Sequence, residues 1–337
     1  MVKNLVMNLD LSIFDISVVS MFNEVNDKYK KFIELYNGKI HFYFLDKKKG
    51  RVSLIFFFRL QKTLKSINPD VLSTHTGALF YTALANLFQK KPLIHTIHSL
   101  PSLDQKTYVR KMISRSVKKG KIILIGCSKT IALMAEKIYK TKVNYINNGV
   151  QTNDFKPEDK TYDFVTIGRL VKMKRVDVII RSFAIFDQNS GRHHLAIIGD
   201  GPEKPYLEKI VNENKIKNVH FLGEQSDVQQ LLKKASVHVM ASEWEGNPMS
   251  ILEAMTCGVP TIAPRVGGIP DILTNERNGF LFEKDDVARL PFLMEKILNP
   301  TTLSKLSKEC KLDSTKYDIR TTANDYGILF RKYGENR

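Results

Sequence analysis

Glu245 and Glu253 stand with seven residues between them in the segment 241–273, ASEWEGNPMSILEAMTCGVPTIAPRVGGIPDIL. Asn247 followed by Pro248 reads as a helix start. Asn is a favoured N-cap, Pro is favoured at the first helical position, and Pro biases the residue before it to extended backbone. The helix expected over 248–257 carries Glu253 among Met249, Ile251, Leu252, Ala254 and Met255, a setting in which a charge needs a partner. A helix amino terminus between two carboxylates suits a ligand with both phosphate and hydroxyl groups. The same residues would also serve as a capped loop beside one exposed glutamate. A second cluster lies upstream, where Gly168-Arg169-Leu170 closes an expected strand and Lys174 follows. Gly168 permits a sharp turn, and two cations five residues apart could clamp a diphosphate from both sides. Gly199-Asp200-Gly201-Pro202 is a further tight turn, informative through its position between the other two clusters.

These residues must be carried at strand ends. Short apolar runs alternate with amphipathic stretches along the whole chain. The first half predicts strands at 14–19, 40–44, 70–74, 93–97, 122–125 and 143–146, with helices near 51–67, 77–89, 104–118 and 128–139. The second predicts strands at 164–167, 194–198, 219–222, 237–240 and 261–263, with helices near 175–188, 203–213, 226–234 and 248–257. This alternation predicts an α/β fold of two Rossmann-like domains with parallel sheets facing a central cleft. The expected division is a first domain over 1–150, a polar linker over 151–161, a second domain over 162–315 and a closing helix over 316–337. Residues 1–9 read as a helix already under way, with Val2, Leu5, Val6 and Leu9 on one face. A Rossmann-like half would open on a strand and a glycine-rich turn.

The chain has 337 residues and a net charge of +17. Residues 1–150 hold 25 Lys and Arg against 9 Asp and Glu, whereas residues 151–337 hold 27 against 26. The first half therefore carries nearly all the excess and is expected to face an anionic partner: nucleic acid, a phospholipid surface or a phosphorylated substrate. No apolar run approaches the roughly 20 residues of a membrane-spanning helix, and the amino terminus lacks the apolar stretch of a secretory signal. Cys127, Cys257 and Cys310 lie far apart, unlike a zinc site or a disulfide framework. A cytoplasmic protein is the expectation.

Residues 162–285 resemble the donor-binding domain of the retaining family 4 glycosyltransferases (glycosyl transferases group 1, GT-B fold). The resemblance rests on GRLVKMK, GDGPE, EGNPMSILEAMTCGVP with Glu245 and Glu253, VGGIPDIL and NGFLF. INPDVLSTHT, PLIHTIHSL, IGCSKT and NNGVQTNDF resemble the family's acceptor domain more diffusely, and 316–333 resembles its last helix, which crosses back onto the first domain. The resemblance implies that Arg169 and Lys174, beside Gly168, neutralise a donor diphosphate. It implies that Glu253 accepts hydrogen bonds from the nucleotide ribose, and that Glu245 with the backbone of Gly246, Asn247, Pro248 and Met249 holds the sugar hydroxyls. It further implies that His98 reaches the transferred sugar; a core histidine is the alternative. His75, Ser128 and Asn148 match weaker positions and read as structural. The implied reaction is retaining transfer of a hexose or N-acetylhexosamine from a nucleotide-sugar, a UDP-sugar ahead of a GDP-sugar, with no cofactor and no metal. The acceptor attacks from the leaving-group face and a leaving-phosphate oxygen takes its proton. No Asp-x-Asp pair stands in the sequence, so Arg169 and Lys174 are expected to stabilise the departing charge.

Two departures matter. Arg175 follows Lys174 where the family usually has glycine, and the family's first strand and glycine-rich loop have no counterpart ahead of Met1. The second departure implies strands left without a neighbour and weak activity, as a late start or a decaying gene would give. The basic clusters around 47–51, followed by Leu54–Phe58, and at 110–121 fit a peripheral enzyme on the inner face of the membrane acting on a lipid-linked saccharide of a cell-surface polysaccharide such as capsule, exopolysaccharide or O-antigen. A solvated basic surface is the alternative. Other readings are an inactive or partner-dependent glycosyltransferase, a sugar-nucleotide epimerase, and a nucleic-acid-binding protein; the last lacks interleaved aromatics and any recognition motif, so no nucleic-acid partner is expected.

Overall fold

The computed structural model describes residues 1–22, 27–47, 53–101, 107–152 and 158–335. The chain divides into two units, Met1–Asn147 with Ile319–Arg337, and Asn148–Asp318. The division falls earlier than the polar stretch 151–161, of which 153–157 lie outside the described residues. Hydrogen bonds decide this. The Val150 N–H donates to the Tyr317 carbonyl at 2.9 Å, and the Thr152 hydroxyl donates to the Asp318 carboxylate, so both chain crossings belong to the second unit up to those points.

The second unit holds six parallel strands: β7 (Tyr162–Ile167), β8 (Leu195–Ile198), β9 (Val219–Gly223), β10 (Ala235–Val239), β11 (Thr261–Pro264) and β12 (Gly279–Phe282). Their order is β12-β11-β10-β7-β8-β9. Strand alternation sends Phe164, Ile197, Val237, Val239 and Ile262 into one core cluster and Val165, Ala196 and Ile198 into another. Both faces are thus covered, and the strands read as continuous apolar runs for that reason. β12 is the strand not anticipated from the sequence. It begins at Gly279, where a Cβ would lie 2.3 Å from the Thr261 carbonyl oxygen of β11.

In the first unit β1 (Ser17–Ser20) pairs in parallel with β2 (His41–Phe44), and a separate parallel sheet runs β3 (Leu72–His75), β4 (Leu93–Ile97), β5 (Ile122–Gly126) and β6 (Asn144–Tyr145). The strand expected over 14–19 starts later, because the Asp10 carboxylate accepts from the Ser12 N–H (2.9 Å) and hydroxyl (2.6 Å) and holds 10–14 in a turn. Phe14 instead packs edge-on against Phe330. The helix expected over 77–89 is shorter, Leu79–Ala85, behind a 3-10 turn at Thr76–Ala78.

The closing helix, Ile319–Gly334, packs with the opening helix, Val2–Asn8, in a cluster of Leu5, Leu9, Ile94, Ile125, Ile146, Ala323 and Tyr326. The buried Tyr326 hydroxyl lies 2.8 Å from Thr96 Oγ1 of β4, and burial pushes the phenol's pKa up. The Thr322 hydroxyl donates to the Asn147 carbonyl at 3.0 Å. Tyr326→Phe leaves the Thr96 hydroxyl buried without this partner. It should lower the first unit's stability by about 1–2 kcal/mol, read as a lower denaturant midpoint with an unchanged slope.

Candidate active site

From β7 the second sheet steps through β8 to β9 on one side and through β10 and β11 to β12 on the other. Where strand order reverses, the connections leave in opposite directions and open a crevice at the carboxyl ends of the two central strands. Here those strands are β7 and β10. The loop after β7 is Gly168-Arg169-Leu170, and the loop after β10 runs from Met240 to Asn247. Thr166, Gly168, Arg169, Lys174, Met240 and Ser242 line one recess between them.

Backbone contacts build the first wall. The Leu170 N–H donates to the Asp200 carbonyl (2.9 Å), and the Glu203 N–H donates to the Leu170 carbonyl (3.0 Å). Gly199, at φ +132°, leaves no room for a side chain: a Cβ would sit 2.0 Å from the Gly168 carbonyl oxygen. The GDGP tetrapeptide therefore lets the turn after β8 press against the turn after β7. Lys172–Lys174 form a 3-10 turn, and Arg175 follows at φ +50°, ψ 42°. That left-handed backbone is the region glycine occupies at least cost, which accounts for glycine being usual there in the resembling family. The Arg175 guanidinium lies 3.7 Å from Asp177 and 3.8 Å from Glu243.

The second wall is the loop that carries Glu245. Lys174 Nζ donates to Glu245 Oε1 at 2.5 Å, and the buried Ser242 hydroxyl donates to the same oxygen at 2.7 Å. The loop's backbone is also fixed. The Glu243 N–H donates to the Met173 carbonyl (2.8 Å), and the Gly268 N–H donates to the Glu245 carbonyl (3.1 Å). Gly267, at φ +52°, lies against that carbonyl so closely that a Cβ would be 1.8 Å from its oxygen. The VGG run thus supports the loop from behind. Beneath it, His238 is fully buried on β10, with Nδ1 3.2 Å from Thr261 Oγ1. Burial first, and then the charge of Lys174, lower its pKa to about 3, so the ring is neutral.

Asn247 corrects an expectation. The helix runs Met249–Thr256 with Pro248 as its cap residue, at ψ 115°, and no side chain caps it. Pro248 is itself extended, which moves the cap one position along. Asn247 is then too far back to reach the helix N–H groups, and its side-chain amide is buried without a hydrogen-bond partner. Its carbonyl accepts from Asn148 Nδ2 at 3.1 Å, so Asn148 supports the loop. Gly246 and Pro248 are buried, and Met249 is half-buried. Glu253 is half-buried on that helix, four residues past the start.

Gly168, Arg169 and Lys174 line the recess, with Arg169 exposed, and Glu245 is joined to it through Lys174 and Ser242. His98 belongs to the first unit. It stacks on His75, with His98 Nε2 2.9 Å from His75 Nδ1. Burial, followed by His98, His95 and the chain's amino terminus, lowers the His75 pKa to about 3. Ser242 escaped the sequence reading; a hydroxyl directly after the buried Met240 and Ala241, three residues ahead of Glu245, was the signal available. Among the described residues no group of three His, Cys, Asp or Glu side chains could hold a metal ion.

Gly267→Ala should strain the backbone by about 1–3 kcal/mol and push the Glu245 carbonyl away. The expected result is a lower unfolding midpoint of the second unit together with weakened ligand binding at the recess, measured by calorimetry.

The family model for glycosyl transferases group 1 matches residues 150–312, and that for glycosyltransferase family 4 matches residues 1–154. The chain is 26% identical over 283 residues to an Escherichia coli UDP-Gal:alpha-D-GlcNAc-diphosphoundecaprenol alpha-1,3-galactosyltransferase, covering 75% of this chain and 72% of the relative. It is 24% identical over 321 residues to an alpha-monoglucosyldiacylglycerol synthase of Acholeplasma laidlawii, covering 84% and 80%. The crystal structure of Anabaena HepE in complex with UDP superposes with a TM-score of 0.79 at 17% identity, over 95% of this chain and 100% of that one. With the two matched segments running unbroken from residue 1 to 312 and a doubly wound parallel sheet carrying the recess, the chain belongs to the family 4 glycosyltransferases of the GT-B fold and is a hexosyltransferase-type enzyme.

Proposed function

We propose that the protein transfers a hexose or N-acetylhexosamine, with retention, from a nucleoside diphosphate sugar to a hydroxyl of a lipid-linked saccharide in cell-surface polysaccharide synthesis. The observation that carries this reading is the Lys174–Glu245 pair of 2.5 Å at the switch point, beside Gly168 and Arg169. One cation and one carboxylate held together offer a donor to a phosphate and acceptors to sugar hydroxyls within a single small recess. Arg169 and Lys174 would stabilise the negative charge that grows on the diphosphate as the anomeric bond loosens towards an oxocarbenium ion. Glu245 and the buried backbone of Gly246 to Met249 would orient the sugar, and Glu253 the ribose. In this reading a leaving-phosphate oxygen takes the acceptor's proton. His98 is assigned a contact to the transferred sugar through the family resemblance. UDP-sugars are favoured as donors, because UDP occupies the similar HepE structure and names the Escherichia coli relative's donor. That relative's name also supports a lipid-linked acceptor.

Association with an anionic membrane surface completes the proposal. Among the described residues no helix is long and apolar enough to cross a membrane. The helix Leu54–Ile67 exposes Leu54, Ile55 and Phe58 to 73%, 68% and 62% beside exposed Arg59, Lys62 and Lys65. Phe56, by contrast, is buried against Tyr81. The helix Thr107–Lys118 buries Val109, Ile113 and Val117 and leaves Lys111, Arg115 and Lys118 exposed. Each such cation near an anionic leaflet contributes about 1 kcal/mol. Of the basic stretch 47–51, Lys48 to Arg51 lie outside the described residues.

A panel of nucleotide-sugars, scored for released nucleotide with a lipid-linked acceptor, tests the activity. Lys174→Ala and Glu253→Ala should each lower turnover about 100-fold or more while circular dichroism stays unchanged; near wild-type turnover in either would remove that residue from the site. Sedimentation with phosphatidylglycerol vesicles should be strong at low salt and weak at high salt, and weak with phosphatidylcholine throughout. Binding that ignored lipid charge and salt would refute the membrane assignment.

A further inference from the structure

The two oxygens of the Glu245 carboxylate are used unequally. The side chain is 10% exposed, and both hydrogen bonds to its carboxylate fall on one oxygen. Lys174 Nζ reaches Oε1 at 2.5 Å, and the Ser242 hydroxyl reaches the same atom at 2.7 Å. A carboxylate oxygen offers about two lone-pair sites, so Oε1 is filled. Among the described residues no donor reaches Oε2. A largely buried carboxylate oxygen needs donors, and for Oε2 these must come from a ligand or from solvent.

The two donors to Oε1 are not equivalent. Lys174 is also the cation that would meet a diphosphate. Its ammonium carries three N–H donors on a flexible stem, and its side chain is 23% exposed, so a phosphate can compete with Glu245 for it. Ser242 is 1% exposed, and its single hydroxyl proton goes to Oε1. Backbone bonds hold Ser242 from both sides. The Met240 N–H donates to the Ile262 carbonyl of β11 (2.9 Å), and the Glu243 N–H donates to the Met173 carbonyl (2.8 Å). The second bond joins the residue after Ser242 to the residue before Lys174.

We propose that Ser242 is a positioning residue for sugar transfer: by holding Oε1 it keeps Oε2 in one orientation for a hydroxyl of the donor sugar, whether or not Lys174 has turned to the diphosphate. The inference rests on the reading of Glu245 as the group that accepts from the sugar hydroxyls. The last torsion of a glutamate is broad and nearly two-fold, so a carboxylate without a fixed donor does not keep its two oxygens apart. Ser242 supplies that donor, and Lys174 is left to follow the charge that grows on the leaving phosphate.

The test compares wild type with Ser242→Ala, Ser242→Cys and Glu245→Ala, each checked for folding by circular dichroism and unfolding midpoint. The cysteine form keeps the side chain's shape but donates weakly, and it covers the case in which alanine disturbs the loop. The probes are the nucleotide-sugar that the wild type turns over fastest, its monodeoxy analogues, and the free nucleoside diphosphate. Both Ser242 variants should bind the free diphosphate within about twofold of wild type and lose about tenfold or more in kcat/KM with the intact donor. With one monodeoxy analogue the wild type should fall to a similarly low kcat/KM. The Ser242 substitutions should then cost less than about twofold, because the hydroxyl that Oε2 accepts from is gone. A loss of equal size with every analogue would mark Ser242 as a packing residue and overturn the proposal. So would wild-type kcat/KM in the Ser242 variants beside an inactive Glu245→Ala form. Wild-type turnover in Glu245→Ala, or no turnover of any nucleotide-sugar by the wild type, would instead refute the reading of the site, and this inference with it.

Discussion

A carboxylate taken out of water must be given donors, and in this protein Glu245 receives two of them from different parts of the chain. Lys174 comes from the turn after β7 and Ser242 from the loop after β10, and both reach the same oxygen. The pair therefore ties together the two central strands at the place where their connections diverge. Backbone contacts do the rest: Gly199 against Gly168, Gly267 against Glu245, and Glu243 against Met173. Each of these needs two main chains at near-contact distance, and glycine stands wherever a Cβ would intervene. The glycines of GRL, GDGP and VGG are thus one support system for a charged pair.

The same logic explains how the loop that carries Glu245 is held from below. His238 stays neutral under Lys174 because its burial opposes a second positive charge. Asn148 donates to the Asn247 carbonyl, so the segment following the first crossing between the units also braces the loop. With its backbone held this way, the loop keeps Gly246 to Pro248 buried and Glu245 paired with Lys174 and Ser242.

Much of the fold was legible because its strands are buried on two faces. Leu195–Ile198 is a continuous apolar run in a parallel sheet, and a run of that kind between amphipathic helices has one common explanation. Element ends were less legible, since single residues set them: the Asp10 carboxylate delays β1 by its hydrogen bonds, and the extended backbone of Pro248 displaces the cap expected at Asn247. β12 was hidden because its glycine start and four-residue length give no periodicity to read. At the candidate site, residue type and spacing singled out Gly168, Arg169, Lys174 and Glu245, which the fold places near one another, whereas Ser242 is an ordinary serine until it is seen to donate to Glu245.

Residue identity and spacing alone determined which chemical groups the chain carries, the family they belong to, and the alternation of strands and helices. These follow from local rules of turn, cap and burial that act over a few residues. Strand order, the 71-residue span between Lys174 and Glu245, and the standing apart of β1–β2 from β3–β6 were decided by tertiary structure. Each depends on hydrogen bonds and close contacts between segments distant in sequence, and no local pattern states which distant partner a strand edge or a buried charge will meet.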